Sequence, residues 1–216
     1  MLDVTEAIEN RRSIRQYTDA PISQNTMDRL ISLAVKAPTG SGMEPWGFVI
    51  LRDRAEIDAL SDRAKKEILD HMADYPQFTQ YETWLKNPKY NIFNHAGTVL
   101  VIYGDTRSHW HVYDCSLVAG NIMLLAESEG IGCCWIGFAE AVLNTAEFKK
   151  AHNVPDHFEL VSTISMGYSN SKLKPATRRP PHDFLEIAFR ISGQLRPRKL
   201  ALPGPLCRQR GFASGS

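Results

Sequence analysis

The chain has 216 residues, of which 43% are hydrophobic and 23% are charged, with a formal net charge of +1. This length supports one domain with a sizeable core, and the composition is ordinary for a soluble globular protein. No apolar run is long enough to span a membrane, the N-terminus does not have the pattern of a secretory signal, and four cysteines, two of them adjacent, do not form a disulfide framework. We therefore expect a cytoplasmic protein that does not contact a membrane.

The charge is unevenly distributed along the chain. Residues 172–216 contain ten Lys and Arg residues but only Asp183 and Glu186 as acids, a net charge of +8, so residues 1–171 carry −7. Such a tail can bind nucleic acid or a membrane, or it can cross an acidic surface of its own protein or of a partner subunit. We favour the second interpretation and expect no nucleic-acid binding, because no nucleic-acid-binding motif is present.

Two amphipathic helices are predicted at the start of the chain. Asp3 and Glu6 have the spacing of a capping box at the start of the first helix. Ser23 caps the second helix, which we expect to end at Ala37 because the residue before Pro38 resists the α conformation. The apolar stripe of the first helix comprises Val4, Ala7 and Ile8.

A basic cluster, Asn10-Arg11-Arg12-Ser13-Ile14-Arg15, follows the first helix. Guanidinium groups present a rigid fork of donors that suits phosphate and other planar anions. The alternative is a solvated basic end of a helix, where cations are favourable. By itself, the cluster does not decide between these interpretations.

The loop 38–46, Pro-Thr-Gly-Ser-Gly-Met-Glu-Pro-Trp, contains two glycines that permit positive φ or a close backbone approach. It lacks the Lys-Ser or Lys-Thr of a Walker loop. It also follows a helix and precedes a strand, the reverse of the dinucleotide-binding order. A plain helix-to-strand turn is the alternative.

An aromatic excursion, residues 73–95, interrupts the regular elements. It lies between a long helix, capped by Asp53 and Glu56, and the next strand. A segment of this length and composition either covers a pocket or forms a separate hydrophobic cluster.

The remaining pattern alternates strands and helices. Strands are predicted at 46–51, 98–104, 133–138 and 160–168, and a helix is predicted from about 144 to 152. The helix 112–128 is apolar on nearly every face, so we expect it in a core or a subunit interface. A short helix at 184–191 and an extended or disordered arm at 193–216 complete the prediction.

No protein-borne catalytic group stands out in the sequence. His109, His111, Asp114 and Cys115 are the closest metal-ligand candidates, but structural histidines and a buried cysteine are the favoured interpretation. The adjacent pair Cys133-Cys134 lacks a Cys-x-x-Cys spacing and is predicted to lie in a strand core. An anion site without a catalyst is typical of a protein whose cofactor supplies the chemistry.

Four motifs in the same order resemble the flavin-dependent nitroreductase superfamily. They are Arg-Arg-Ser-Ile-Arg-Gln-Tyr (11–17), the loop from Ala37 to Trp46, Gly-Ile-Gly-Cys-Cys-Trp-Ile-Gly (130–137), and Met-Gly-Tyr (166–168) with a following Pro175…Arg178-Arg179-Pro180. The resemblance covers residues 3 to about 187.

The resemblance implies an α+β fold with a mixed, mostly antiparallel central sheet flanked by helices. It implies an interlocked homodimer with FMN in two interfacial clefts and helix 112–128 at the dimer core. Residues 1–187 would form the FMN-binding domain, and the basic, Pro-rich residues 188–216 would form an arm that wraps the partner subunit or is disordered.

The resemblance also implies roles for particular residues. Arg11, Arg12, Ser13 and Arg15 would bind the flavin phosphate, ribityl chain and ring edge, with Arg178 and Arg179 completing the phosphate site. Pro38, Thr39, Gly40 and Gly42 would reach the ring from the other subunit, and the amides near Ile136 and Gly137 would face its N5 edge. The excursion would be the substrate lid, with Tyr81, Trp84 and Tyr90 as substrate residues. Gly42 and Glu44 depart from the Asn and Gln that are frequent there in the family.

The function implied is transfer of hydride from NAD(P)H through FMN to a nitroaromatic, quinone or enone-like small molecule, in a ping-pong scheme with no side chain as acid or base. The alternatives are a specialised flavin enzyme, for reductive dehalogenation or flavin-dependent dehydrogenation, and a non-catalytic FMN-binding protein.

Overall fold

A computed structural model of the protein describes residues 2–171, 173–174 and 176–180. The residues up to Thr177 belong to one compact unit, and Arg178 begins a second. The predicted helix 184–191, the domain boundary at 187/188 and the predicted arm lie outside the described residues. Within the described ranges, none of the helices combines the length and the hydrophobicity that crossing a bilayer requires.

The centre of the first unit is a four-stranded antiparallel sheet with strand order β1-β2-β4-β3. The strands are β1 (Trp46–Leu51), β2 (Thr98–Asp105), β3 (Ile131–Trp135) and β4 (Phe158–Tyr168). The resemblance implied a mixed, mostly antiparallel sheet, and the antiparallel pairing of the four strands is as expected. The one parallel pairing among the described residues is an isolated bridge between Ser13 and Cys133.

Seven α-helices surround the sheet in this unit. They are α1 (Val4–Asn10), α2 (Gln24–Ala34), α3 (Arg54–Asp70), α4 (Glu82–Leu85), α5 (His111–Ser128), α6 (Glu140–Leu143) and α7 (Ala146–Ala151). Short 3₁₀ turns lie at Gly40–Gly42, Met72–Asp74 and Pro76–Tyr81. The predicted capping box at Asp3 and Glu6 is confirmed, since both reciprocal hydrogen bonds are present.

The core consists of two layers, one on each face of the sheet. Because side chains alternate along a strand, β2 contributes Val99, Val101 and Tyr103 to one layer and Leu100 and Ile102 to the other. The first layer contains side chains of α3, α6 and α7, and the second contains those of α2 and α5. The α+β fold with helices on both faces of the sheet is therefore confirmed.

Three element predictions need correction. Helix α2 ends at Ala34, because a tight turn closed by the amide of Ala37 and the carbonyl of Ala34 (3.1 Å) replaces its last predicted residues. Strand β1, whose continuous apolar sequence predicts a buried strand, is half-buried in all residues except Leu51. Strand β3 begins at Ile131, directly after Gly130 turns the chain with φ of 73°.

Helix α5 is buried on one face only within this chain. Ile122 is completely buried, whereas Val112, Tyr113 and Leu117 are 47–64% exposed. The first helix behaves similarly, because Ala7 is its one buried residue and Ile8 is 59% exposed. When a helix is apolar on all sides, its sequence does not show which face packs against the rest of the same chain.

Candidate functional site

The basic cluster lies along the outer edge of β3. Ser13 forms the parallel bridge to Cys133, and the amide of Ile14 donates to the Cys133 carbonyl at 3.0 Å. Further along, the amide of Thr18 donates to the Tyr168 carbonyl at 2.8 Å. Residues 11–17, the arginine segment from here on, are thus held by backbone hydrogen bonds in the middle of the segment and directly after it.

Two glycines make room for this segment. Gly132 in β3 and Gly167 in β4 are direct partners across the sheet. A Cβ atom on Gly132 would lie 2.7 Å from Ile14 Cβ, and one on Gly167 would lie 2.9 Å from Tyr17 Cδ1. Gly132 and Gly167, which belong to the third and fourth motifs, therefore leave the space that the first motif occupies. The sequence alone did not predict this relation between the motifs.

Tyr17 fixes the segment through its hydroxyl group. The hydroxyl donates to the Ile14 carbonyl at 2.6 Å and lies 3.0 Å from Ser165 Oγ. Burial raises the pKa of Tyr17, so the phenol stays protonated and available as a donor. Tyr17 was quoted in the sequence motif but was not among the predicted site residues.

The three arginines have different surroundings. Arg15 is exposed and makes one long hydrogen bond, 3.5 Å, to the Ser13 carbonyl. Arg12 donates to the carbonyl of Lys174. Arg11 is half-buried, and its guanidinium offsets part of the rise that burial causes in the pKa of Glu127. The segment thus presents cationic groups on a fixed backbone.

The end of β3 has two exposed positions, Trp135 and Gly137. The amide of Ile136 donates to the Thr163 carbonyl at 2.8 Å, and the Ile136 side chain is buried. Gly137 is exposed, and no hydrogen bond of the described residues uses its amide. No atom lies within 4 Å of where its Cβ would stand, so a planar group can approach here.

The predicted substrate residues form one aromatic cluster around Phe138. Tyr81 and Tyr90 meet the edge of the Phe138 ring at centroid distances of 5.4 and 6.4 Å, and Trp84 lies 5.5 Å from Tyr81. Phe138 was placed in a strand by the sequence and was not a predicted site residue. Its position directly after Gly137 is the signal that could have identified it.

The arginine segment, the β3 end and the excursion meet around Arg15. Burial raises the pKa of the Cys134 thiol and of Tyr90, and in both cases the positive charge of Arg15 opposes the shift. Direct contacts show the same proximity, because Ser13 pairs with Cys133 in β3 and Phe138, just beyond the end of β3, contacts Tyr90 of the excursion. Three of the predicted stretches, far apart in sequence, therefore form one neighbourhood.

The loop 38–45 is held elsewhere, by the N-terminal end of α5. The buried carboxylate of Asp114 accepts hydrogen bonds from Thr39 Oγ1 at 2.9 Å and from the Gly40 amide at 3.1 Å. A Cβ atom on Gly40 would lie 2.4 Å from the Trp110 ring, so only glycine fits. Gly42, with φ of 63°, has open space around it.

The loop and the arginine segment lie at diagonally opposite corners of the sheet. Cys133 pairs with Met166, which pairs with Thr98, whereas the loop enters β1 at Trp46, which pairs with Gly104. These pairings separate the two corners by about 20 Å along the strands and about 14 Å across them. Within one chain, the loop 38–45 and the arginine segment are therefore not adjacent, although both are predicted to contact the cofactor.

The other candidates have ordinary structural roles. Asp114 holds the loop, and Cys115 is completely buried. Cys133 and Cys134 are both buried, as predicted for a strand core. Within residues 2–171, 173–174 and 176–180, no group of three potential metal ligands comes together. Arg178 and Arg179 are exposed and belong to the second unit.

A separate apolar groove of about 400 Å³ lies between α1, α2 and α5. None of its lining residues belongs to the arginine segment. Its apolar lining residues include Leu2, Val4, Leu33, Leu124 and Leu125.

The sequence is similar to known enzymes. The model of the nitroreductase family matches residues 8–168. A protein of Methanothermobacter thermautotrophicus, provisionally named an NADH dehydrogenase/NAD(P)H nitroreductase, is 26% identical over 182 residues, which cover 82% of each chain. The nitrobenzene nitroreductase of Ectopseudomonas oleovorans is 25% identical over 79% of this chain and 88% of that protein.

The fold is similar to solved structures. A nitroreductase from Bacteroides fragilis, crystallised with bound FMN, superposes with a TM-score of 0.74 at 22% identity. The alignment covers 86% of this chain and all of that one.

Proposed function

The chain belongs to the nitroreductase family of oxidoreductases, and we propose that it is an FMN-dependent enzyme that passes electrons from NAD(P)H to a nitroaromatic, quinone or enone-like acceptor. The observation that carries the proposal is the neighbourhood around Arg15. There, cationic side chains on a fixed backbone, an exposed Gly137 amide and an aromatic cluster lie together. FMN is the cofactor of the structural relative from Bacteroides fragilis.

The donors present fit this cofactor. Arg11, Arg12 and Ser13 supply cations and a hydroxyl for the phosphate, and Arg15 supplies charge for the edge of the ring. The Gly137 amide would donate to the ring, while Ile136 would act through its sheet hydrogen bond to hold that position. FMN, when bound, would supply the hydride chemistry between donor and acceptor. Arg178 and Arg179 stay predicted phosphate ligands on the resemblance alone.

A homodimer would complete the site. In one chain, residues Pro38, Thr39, Gly40 and Gly42 lie at the opposite corner of the sheet from the arginine segment. The same loop of a second copy would supply this wall. The exposed apolar faces of α1 and α5 give such a dimer a surface to bury.

The protein's own contribution would be orientation and electrostatics. Arg15 places positive charge where negative charge develops on the ring, and no side chain needs to move a proton. Tyr81, Trp84 and Tyr90 would select planar acceptors, because aromatic side chains stack on flat π-systems. Donor and acceptor would use one cleft in turn, which gives ping-pong kinetics.

The test is cofactor binding followed by reduction. We expect the purified protein to bind FMN and to lose its flavin absorption anaerobically with NADH or NADPH. A protein that takes up no FMN contradicts the proposal. One that binds FMN but is reduced by neither nucleotide is a binding protein or a specialised flavin enzyme.

Replacing Arg11 tests the phosphate site. Arg11→Ala removes a charge-assisted hydrogen bond of about 1.5–3 kcal/mol, so we expect the Kd for FMN to rise roughly tenfold or more. Arg63→Ala is the matched control, because Arg63 pairs with Glu147 on the surface of α3. Fluorescence titration with FMN measures the Kd of both variants. An unchanged Kd for Arg11→Ala would mean that Arg11 does not bind the phosphate.

A further inference from the structure

We propose that Tyr17, which lies on Gly167 while Ile14 lies on the paired Gly132, is a positioning residue that sets the direction of Arg15 and thereby the affinity of the cofactor site. This inference rests on the proposed function. It concerns a residue that would not itself touch the cofactor, and it follows from the contacts of the arginine segment.

The first step is that the segment has one place in which to lie. Gly132 and Gly167 face each other across β3 and β4, so the sheet surface has no side chain at either position. Ile14 and Tyr17 occupy the space, and a methyl group on either glycine would come within 2.9 Å of one of them. Contacts below 3.0 Å force a shift, and here the side chains that must shift belong to the segment itself.

The second step is that the Tyr17 hydroxyl bonds the peptide next to Arg15. Its acceptor at 2.6 Å is the carbonyl of Ile14, in the peptide group that joins Ile14 to Arg15. The orientation of that peptide determines the direction in which the Arg15 side chain leaves the backbone. Ser165 holds the hydroxyl from the other side, since its Oγ lies 3.0 Å from the Tyr17 oxygen.

The third step is that Arg15 has little else to hold it. It is exposed, and among the described residues its guanidinium contacts only the Ser13 carbonyl, at 3.5 Å, and the Cys134 thiol. Ile14, by contrast, is buried and bonded to β3 through its amide. Order at Arg15 therefore comes from the backbone, which Tyr17 secures.

The test is FMN affinity in the Tyr17→Phe variant of the full chain. The ring keeps its packing on Gly167 while the bond to the Ile14 carbonyl is lost, so we expect the Kd for FMN to rise about threefold to tenfold. Tyr103→Phe is the matched control. It also removes a buried tyrosine hydroxyl bonded to a carbonyl, that of Leu143 at 2.5 Å, but far from the segment.

Glycine variants give a second measurement. Gly167→Ala should raise the Kd more than Tyr17→Phe does, whereas Gly97→Ala, with no atom within 4 Å of its Cβ, should leave the Kd unchanged. If Gly167→Ala does not fold, the comparison of Tyr17→Phe with Tyr103→Phe tests the proposal without it.

The outcomes separate the two proposals. A wild-type Kd in Tyr17→Phe, or an equal loss in Tyr103→Phe, overturns the positioning role while the proposed function stands. A wild-type protein that binds no FMN overturns the proposed function and this inference with it.

Discussion

Asp114 is a charged residue with 4% exposure, and its surroundings explain why the fold tolerates it. A buried carboxylate is costly unless hydrogen bonds replace its water. The Thr39 hydroxyl and the Gly40 amide provide them, and the same Thr39 oxygen accepts from the Glu44 amide. The charge thus organises a turn in which Ser41, Gly42 and Glu44 all have positive φ.

Removing this carboxylate should loosen the loop. In Asp114→Ala the half-buried Gly40 amide and the Thr39 hydroxyl lose their acceptor, so we expect a loss of about 1–3 kcal/mol in the free energy of unfolding. Urea denaturation measures it. Asp70→Ala, which removes an exposed partner of Lys66, is the control and should leave stability nearly unchanged, because water screens this surface ion pair. Equal losses in the two variants would contradict this role for Asp114.

At the level of elements, local signals in the sequence predicted more than contacts between distant segments. The cap at Asp3 and the strands β1, β2 and β4 follow from patterns within ten or so residues. The pairing of Gly132 with Gly167 does not, because strand register is set by the assembled sheet. The role of Asp114 was missed for the same reason, since its partners are 74 and 75 residues away.

The buried thiols of α5 and β3 predict an alkaline limit to stability. Burial raises the pKa of Cys115 to about 12 and also raises that of Cys133. An unfolded thiol ionises near pH 8.5, so above this pH the unfolded state loses protons that the folded state keeps, and stability falls as the pH rises.

For Cys115 alone, we expect a loss of about 2 kcal/mol at pH 10 relative to pH 7. Urea denaturation at the two pH values measures this difference. Cys115→Ala should be less stable at pH 7 but should lose less between pH 7 and pH 10. An unchanged difference in that variant would mean that Cys115 does not contribute.

At the level of the whole molecule, one chain keeps two parts of the proposed site apart and leaves apolar helix faces uncovered. The arginine segment and the loop 38–45 occupy opposite corners of the sheet, while Ile8, Tyr113 and Leu117 are exposed on α1 and α5. Association of two chains would bring the loop of one chain to the arginine segment of the other and would bury the exposed apolar faces of the helices. The prediction that follows links oligomeric state to cofactor affinity.

A charge on the exposed face of α5 should separate the subunits. We expect Leu117→Asp to sediment as a monomer and to bind FMN at least tenfold more weakly, because burying an unpaired carboxylate opposes association. Trp84→Asp changes a residue that is also exposed but lies in the aromatic excursion, and this variant should sediment like the wild-type protein. A dimeric Leu117→Asp, or a monomer with wild-type affinity, would contradict the shared cleft.

The attachment of the arginine segment to β4 has a consequence for the order of folding. Tyr17 and Ser165 are separated by 148 residues, so their contact requires the closure of almost the whole first unit. During synthesis, which starts at the N-terminus, the segment emerges well before the strands on which it lies. If these arginines bind the cofactor as proposed, binding would follow the emergence of β4 from the ribosome and its pairing with the sheet.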